Sequence, residues 1–360
     1  MPPHTFCSSR LKVAAAMMTC IYVASSSILH GQGCSAIRSP GSPALPGVSL
    51  LPLEHGFQAS VSYRYLYADR YFMGSDELPM EPGSQVINEI HTFDVAVSYA
   101  VNARLSFTLD LPVIYGERTT RHEHMGMSGP QFTTRAFGIG DLRATGDFWL
   151  FDPAHHPHGN ISLGAGLKAP TGDDSAEDDF HTPGGIQNRP VDVAIQPGDG
   201  GWGFLVQMQA YQKIVGELSA YANGMYLFNP REVNGTASFS PAGSPNQDDV
   251  NSVPDQYLGR VGLNYVVWPK GGLSLSVGGR LEGIPARDAI GGDGGFRRPG
   301  FVVSIEPGLS WNKGKNSFSV TAPVALIRNR ERSVTDELTG THGDASFADF
   351  LIFANYTRRF

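Results

Sequence analysis

Residues 105–115 read LSFTLDLPVIY, and this stretch decides the fold of the chain. Large apolar side chains stand at every second position from Leu105 to Tyr115, and Ser106, Thr108 and Asp110 stand between them. A period of two is the pattern of a β-strand with two different faces, whereas an amphipathic helix repeats about every 3.6 residues. The stretch therefore predicts a strand that faces lipid on one side and a polar space on the other.

The same alternation recurs along the chain from Phe57 to Phe360. It predicts about twelve strands of roughly 9–13 residues, and a tilted strand needs about 9–11 residues to cross a bilayer. The connections alternate in length, as the turn at 101–104 and the loop at 170–201 illustrate. Short periplasmic turns and long extracellular loops are typical of outer-membrane proteins, whereas a soluble β-sandwich has no reason to alternate them. We therefore predict an all-β fold, a single transmembrane antiparallel up-and-down β-barrel in the bacterial outer membrane.

Composition agrees with this class of protein. The 360 residues include 43 glycines and only 17% charged residues, and the mean hydropathy is -0.17. After the first thirty residues no apolar run approaches the roughly 18 residues of a transmembrane helix. The formal net charge of -7 argues against nucleic acid as a partner. The expected partners are outer-membrane lipid, lipopolysaccharide and small hydrophobic solutes.

The N-terminus predicts export. Arg10 and Lys12 precede an apolar stretch at 13–29, as in a secretory signal. We predict a signal peptide at 1–33, a periplasmic tail or linker at 34–56 and the barrel at 57–360. Cys34 would then be the single mature cysteine, either lipidated or a free thiol, so no intramolecular disulfide is expected.

The last residues resemble a C-terminal assembly signal. Tyr356 and Phe360 share one face of the last predicted strand, as in strands that the outer-membrane assembly machinery recognises. Arg358 departs from that pattern because it places a charge on the same face.

Charged side chains on the predicted strands fall on the polar face. On the lipid face, Arg or Lys at the midplane costs about 2–4 kcal/mol. The five cations and six anions nearly balance, which predicts ion pairs across a narrow or gated lumen. The predicted lumen-lining residues are Arg64, Asp94, Asp110, Asp141, Arg143, Asp147, Lys168, Arg260, Arg280, Glu282 and Glu306.

The sequence does not favour catalytic or metal chemistry. Asp141, Arg143 and Asp147 include carboxylates suited to acid–base work, but no nucleophile or histidine accompanies them in the predicted lumen. Clusters at 122–124 (HEH) and 155–158 (HHPH) and the acidic run at 173–179 invite a metal interpretation, yet their spacing matches no closed site. We therefore predict no enzyme activity, no cofactor and no metal.

Two glycine-rich sequences share the pattern D-G-G-aromatic, at 199–202 (DGGW) and 293–296 (DGGF). One interpretation is a pair of loop caps over the pore mouth. The other is a pair of tight turns that use the conformational freedom of glycine. The sequence leaves both open.

Two further motifs carry a family resemblance, namely FGIGDL at 137–142 and LKAPTGD at 167–173. With them the chain resembles the MetA-pathway of phenol degradation family of outer-membrane transporters. The resemblance implies a porin-like barrel of Gram-negative bacteria that moves hydrophobic or aromatic compounds, with no established catalytic residues. The leading hypothesis is passive uptake of such compounds. The alternative is a structural or adhesive barrel with a plugged lumen and ligand-binding extracellular loops.

Overall fold

The computed structural model describes residues 55–125, 129–238 and 249–360. The predicted signal peptide and Cys34 lie outside the described residues. The strands are β1 (Gly56–Met73), β2 (Asp76–Leu78), β3 (Ile87–Ala100), β4 (Leu105–Thr120), β5 (Phe132–Ile139), β6 (Leu142–Trp149), β7 (Gly159–Ala169), β8 (Glu177–Thr182), β9 (Gly185–Pro190), β10 (Gly203–Val215), β11 (Leu218–Phe228), β12 (Val233–Ala237), β13 (Val250–Ser252), β14 (Gln256–Trp268), β15 (Leu273–Ile284), β16 (Gly300–Lys313), β17 (Asn316–Thr321), β18 (Val324–Arg330) and β19 (Ala345–Arg359).

The wall is a closed barrel of twelve antiparallel strands, which confirms the predicted fold. β5 and β6 are two halves of one wall strand, because both pair with β4. β17 and β18 are likewise two halves, since both pair with β16. The barrel closes where β19 pairs with β1, from Gln58 opposite Arg359 to Phe72 opposite Ala345. Closure leaves no free sheet edge in the hydrocarbon region.

Proline and glycine explain the two interrupted strands. Pro112 on β4 lies opposite the break between β5 and β6, where the Gly140 N–H donates to the Pro112 carbonyl at 2.7 Å. A Cβ added at Gly140 would lie 2.8 Å from Pro112 Cγ, so the close approach requires glycine. Pro323 separates β17 from β18, and proline has no N–H for a ladder hydrogen bond.

Along the wall strands, exposed apolar residues alternate with buried polar ones. On β3, Phe93, Val95 and Val97 are exposed on the outer surface, and Thr92 and Asp94 are buried on the inner one. The alternation produces the apolar outer belt that a lipid bilayer requires.

An aromatic residue at the end of a wall strand would be expected in the lipid-facing aromatic belt, but Trp149 at the end of β6 faces inward. Trp149 shares the inner face of β6 with Arg143, is 6% exposed and packs edge-on against Tyr211. It therefore belongs to the lumen rather than to the lipid-facing aromatic belt.

The connections alternate between short turns and long loops, as predicted. The connection between β4 and β5 is limited to 121–131, because β4 continues to Thr120 and β5 begins at Phe132. Two long loops contain hairpins, β8 with β9 and β12 with β13. The loop before β19 holds one short helix, α1 (Val334–Thr339), which Ser333 and Asp336 cap. None of the helices in the described part of the chain has the length and apolar character to cross a membrane.

Candidate functional site

The first group of predicted lumen residues surrounds Arg143 on β6. Its Nη2 donates to Asp110 Oδ2 at 2.5 Å and to Asp94 Oδ1 at 3.2 Å. Arg64 lies on the same side of the lumen and donates to Thr92 Oγ1 at 2.9 Å. All four charged residues are less than 9% exposed. The Arg143 guanidinium joins three neighbouring wall strands, β6, β4 and β3, and Arg64 links β1 to β3.

The second group faces the first from β14, β15 and β16. Arg260 donates through Nε to Glu306 at 3.1 Å, and Arg280 donates to Glu282 at 2.8 and 3.0 Å. Arg280 Nη1 lies 3.6 Å from Glu306, so Glu306 connects both arginines. Each group contains two cations and two anions, which keeps the local charge close to zero.

The third group joins the two motifs that carry the family resemblance. Lys168 forms a buried ion pair with Asp199 and lies 3.7 Å from Asp141 Oδ2. The Gly172 N–H donates to Asp141 Oδ1 at 3.0 Å, and the Asp199 N–H donates to Asp141 Oδ2 at 3.2 Å. Thr171 ties the motifs a second time, since its hydroxyl donates to the Gly140 carbonyl at 2.9 Å. The FGIGDL and LKAPTGD sequences therefore form one junction at the broken strand.

Asp147 stands apart from these groups. It lies two inward-facing positions beyond Arg143 on β6 and accepts from Gln207 Nε2 at 2.7 Å. Within the described residues no cation lies within ion-pair distance of it. Asp141, Arg143 and Asp147 therefore have separate partners and do not converge on one position, as acid–base catalysis requires.

A segment that the sequence did not single out enters the lumen. We call residues 191–201, between β9 and β10, the inner loop. Ile195 is fully buried against inward-facing Leu66, Ile90 and Ile114 of β1, β3 and β4. Asp199 reaches Lys168 on β7 from the same loop. These contacts to four wall strands place the inner loop inside the barrel, in its extracellular half.

Asp192 anchors the other end of the inner loop. Its carboxylate accepts from Arg298 at 2.6 and 2.9 Å and lies 3.7 Å from Arg118. Burial alone would raise the pKa of Asp192, but the charges of Arg118 and Arg298 outweigh burial and hold that pKa well below its usual range. The carboxylate is therefore ionised under all physiological conditions.

A small cavity adjoins the inner loop and residues of the first and third charged groups. Its volume is about 20 Å³, close to the space that one water needs. Arg143, Lys168 and Asp199 contribute its polar surface, and Pro112, Ile114 and Pro197 contribute apolar surface. With the inner loop in place the lumen is narrow at this level.

The predicted assembly-signal residues lie on the outer surface at the periplasmic end. The Tyr356 hydroxyl donates to Asn316 Oδ1 at 2.8 Å, and the Phe360 N–H donates to the Phe57 carbonyl at 2.9 Å. The Arg358 guanidinium lies 5.8 Å from the centre of the Phe360 ring. Recognition by the assembly machinery stays a prediction.

The histidine clusters have ordinary protein partners. His124 Nδ1 accepts from the His181 N–H at 3.1 Å, and its ring stacks on Phe180. His155 Nδ1 lies 3.0 Å from Asp152. Among the residues placed by the structure, no three His, Cys, Asp or Glu side chains are arranged to hold a metal ion.

Sequence reasoning missed the residues that hold the inner loop. Asp192, Ile195 and their partners Arg118 and Arg298 lie in or beside long loops, where no strand period marks them. Asp199 did carry a signal, because it opens the D-G-G-aromatic sequence. Gly200 in that sequence has a φ of 78°, and a Cβ there would collide with Asp174. Position 200 therefore requires glycine, and Asp199 beside it reaches Lys168 in the lumen.

Comparison with known proteins supports the fold. No family model and no curated protein matches the chain. An outer-membrane channel of Pseudomonas putida F1 aligns with 89% of this chain and 99% of its own, with a TM-score of 0.58 and 14% identity. A Pseudomonas aeruginosa FadL homologue (85% and 90% covered, TM-score 0.38, 8% identity) and the P. putida toluene transporter (85% and 90%, 0.39, 8%) also align. The last two scores are too low to show a shared fold.

The twelve-stranded barrel and its apolar belt place the protein in the bacterial outer membrane, as predicted. The similarity to an outer-membrane channel supports the barrel fold that the family resemblance implies. The phenol-degradation family itself stays a prediction.

Proposed function

We propose that this barrel allows passive uptake of small hydrophobic or aromatic compounds across the outer membrane. The observation that carries the proposal is the apolar cluster inside the lumen. Leu66, Ile90, Ile114, Ala136 and Leu351 point inward from five wall strands and pack together around the inner loop. The interior of an outer-membrane barrel is ordinarily polar, so a contiguous apolar surface there fits a binding site for an apolar molecule.

The charge arrangement supports the same class of solute. The ion-paired groups around Arg143 and Arg260 use their charges on each other, so a charged solute finds little net attraction. The P. putida F1 protein that shares the fold is described as an outer-membrane channel, which fits passive transport.

Uptake into intact cells tests the proposal, because the lipopolysaccharide leaflet slows apolar molecules that cross plain liposomes unaided. Gram-negative cells that lack their own hydrocarbon channels are compared with and without the barrel. We expect faster uptake of radiolabelled benzene with the barrel and no change for benzoate, a matched anion with the same ring. Equal benzene uptake in both strains would contradict the proposal.

The second candidate is a structural or adhesive barrel with a permanently plugged lumen. The inner loop favours it, because Asp192 and Asp199 anchor that loop through buried ion pairs. Planar-bilayer recordings separate the two functions. Openings that appear when either anchor is weakened support a gated channel, and a silent but folded variant supports a permanent plug.

A further inference from the structure

Ile195 occupies a position on the barrel wall that is shaped for it. An added Cβ at Gly116 would lie 2.7 Å from Ile195 Cβ and 3.2 Å from its Cα, so only glycine lets the inner loop approach this closely. Leu66, Ile90 and Ile114 complete the aliphatic surroundings. Without the Ile195 side chain, this position would be a hollow with aliphatic walls inside the lumen. Such hollows stay dry and bind small apolar molecules.

The inner loop is hydrogen-bonded to Ala176, the residue directly before β8 of the β8–β9 hairpin. Gln196 Oε1 accepts from the Ala176 N–H at 2.8 Å, and Gln196 Nε2 donates to the Ala176 carbonyl at 3.1 Å. The Val191 N–H also donates to the Ala176 carbonyl, at 2.9 Å. A molecule that takes the place of Ile195 therefore displaces a connected segment that extends from the lumen to the cell surface.

We propose that Ile195 is an internal occupant of the solute site, and that an apolar solute opens the lumen by taking its place. The solute class is a small uncharged hydrocarbon, such as a single ring or a short branched chain. The inference rests on the proposed function and adds to it the position of the site and the way it opens. The solute gains the aliphatic contacts that Ile195 gives up, so binding and opening are one equilibrium.

Cysteine labelling at position 195 tests the inference. In a Cys34→Ser background, Ile195→Cys in intact cells is exposed to a membrane-impermeant maleimide, with and without benzene. We expect slow labelling in buffer and at least ten-fold faster labelling with benzene. Val86→Cys is the matched control, because Val86 is 1% exposed and β-branched but lies outside the inner loop. Its labelling should be slow in both conditions, and a benzene-independent rate at position 195 overturns the inference.

A disulfide tether provides a second test if Ile195→Cys itself loosens the inner loop. A Cβ added at Gly138 on β5 would lie 3.3 Å from Pro197 Cβ, near the range of about 3.5–4.5 Å found in disulfides. The double variant Gly138→Cys/Pro197→Cys, once oxidised, should reduce benzene uptake to the level of cells without the barrel. A reductant should restore it. Unchanged uptake through verified cross-linked protein shows that the inner loop need not move.

The two readouts separate this inference from the proposed function. Labelling and cross-linking report the solute site and the loop movement. Benzene uptake by the unmodified barrel reports transport. Benzene-dependent labelling without uptake supports the site and contradicts the transport function, whereas uptake with unchanged labelling supports transport and contradicts the site.

Discussion

Removing the charge of Asp192 should open the lumen. Asp192→Asn keeps the size of the side chain but leaves Arg298 without the carboxylate at 2.6 Å, whereas Arg118 keeps Glu123 at 2.6 Å. Breaking a buried pair by removing one partner costs about 3–5 kcal/mol, because the remaining charge is buried without compensation. When the inner loop is displaced, water reaches the Arg298 guanidinium. The free-energy cost of the substitution therefore applies to the closed state and not to the open one. The ratio of open to closed barrels should then rise on the order of 10²- to 10⁴-fold.

Planar-bilayer conductance measures this change, and heat-modifiability gels establish that the variant is a folded barrel. Asp349→Asn is the matched control. Asp349 also contacts two arginines, Arg70 at 2.6 Å and Arg328, but its side chain is 50% exposed. Exposed pairs contribute about 0–1 kcal/mol, so this control should behave as the unmodified protein. A folded Asp192→Asn barrel as silent as the control would refute gating through this ion pair and favour a permanent plug.

Three further outcomes are expected. The pKa of Asp192 is lowered, so the stability that its ion pairs give the closed barrel is complete above the unfolded pKa of about 3.9. That stability is lost only as pH falls through the lower folded pKa. Conductance recorded between about pH 7.5 and 5 should therefore stay at the closed level. Arg143→Ala should raise conductance and make the barrel more cation-selective in reversal-potential measurements, because two buried carboxylates lose their shared partner; unchanged permeability in a folded variant counts against a constricting role. Gly116→Ala should raise benzene uptake by pushing Ile195 away, whereas Gly259→Ala, with no atom within 4 Å of the added Cβ, should not.

The barrel could be predicted from sequence because the decisive information is local. Each wall strand carries its own alternation, and the alternation assigns side chains to lipid or lumen without knowledge of neighbouring strands. For that reason residues such as Arg260 and Glu306 could be named as inward-facing before their pairing was known. Its place at a strand end did not predict that Trp149 faces the lumen, since an aromatic residue there can face either side.

The inner loop could not be predicted because its position depends on contacts distant in sequence. Asp192 meets Arg298, which is 106 residues later, and Ile195 meets β1, β3 and β4, which come far earlier in the chain. No periodicity marks a loop that folds inward, and its single apolar anchor resembles many surface-loop isoleucines. The LKAPTGD sequence drew attention to the junction, but its hydrogen bonds to Asp141 were visible only in the structure.

The ends and the centre of the inner loop are held by different interactions, and this difference determines which solutes can open the lumen. Its ends, at Asp192 and Asp199, are held by charge, and an uncharged solute offers those ion pairs no competing partner. Its centre, at Ile195, is held by aliphatic contacts, and an apolar solute competes with those directly. A charged solute gains nothing at the centre and meets balanced charges in the lumen. Among solutes of equal size, uptake should therefore be faster for the more apolar ones. If uptake depended instead on the sign of the solute's charge, the charged ends of the inner loop, rather than Ile195, would control opening.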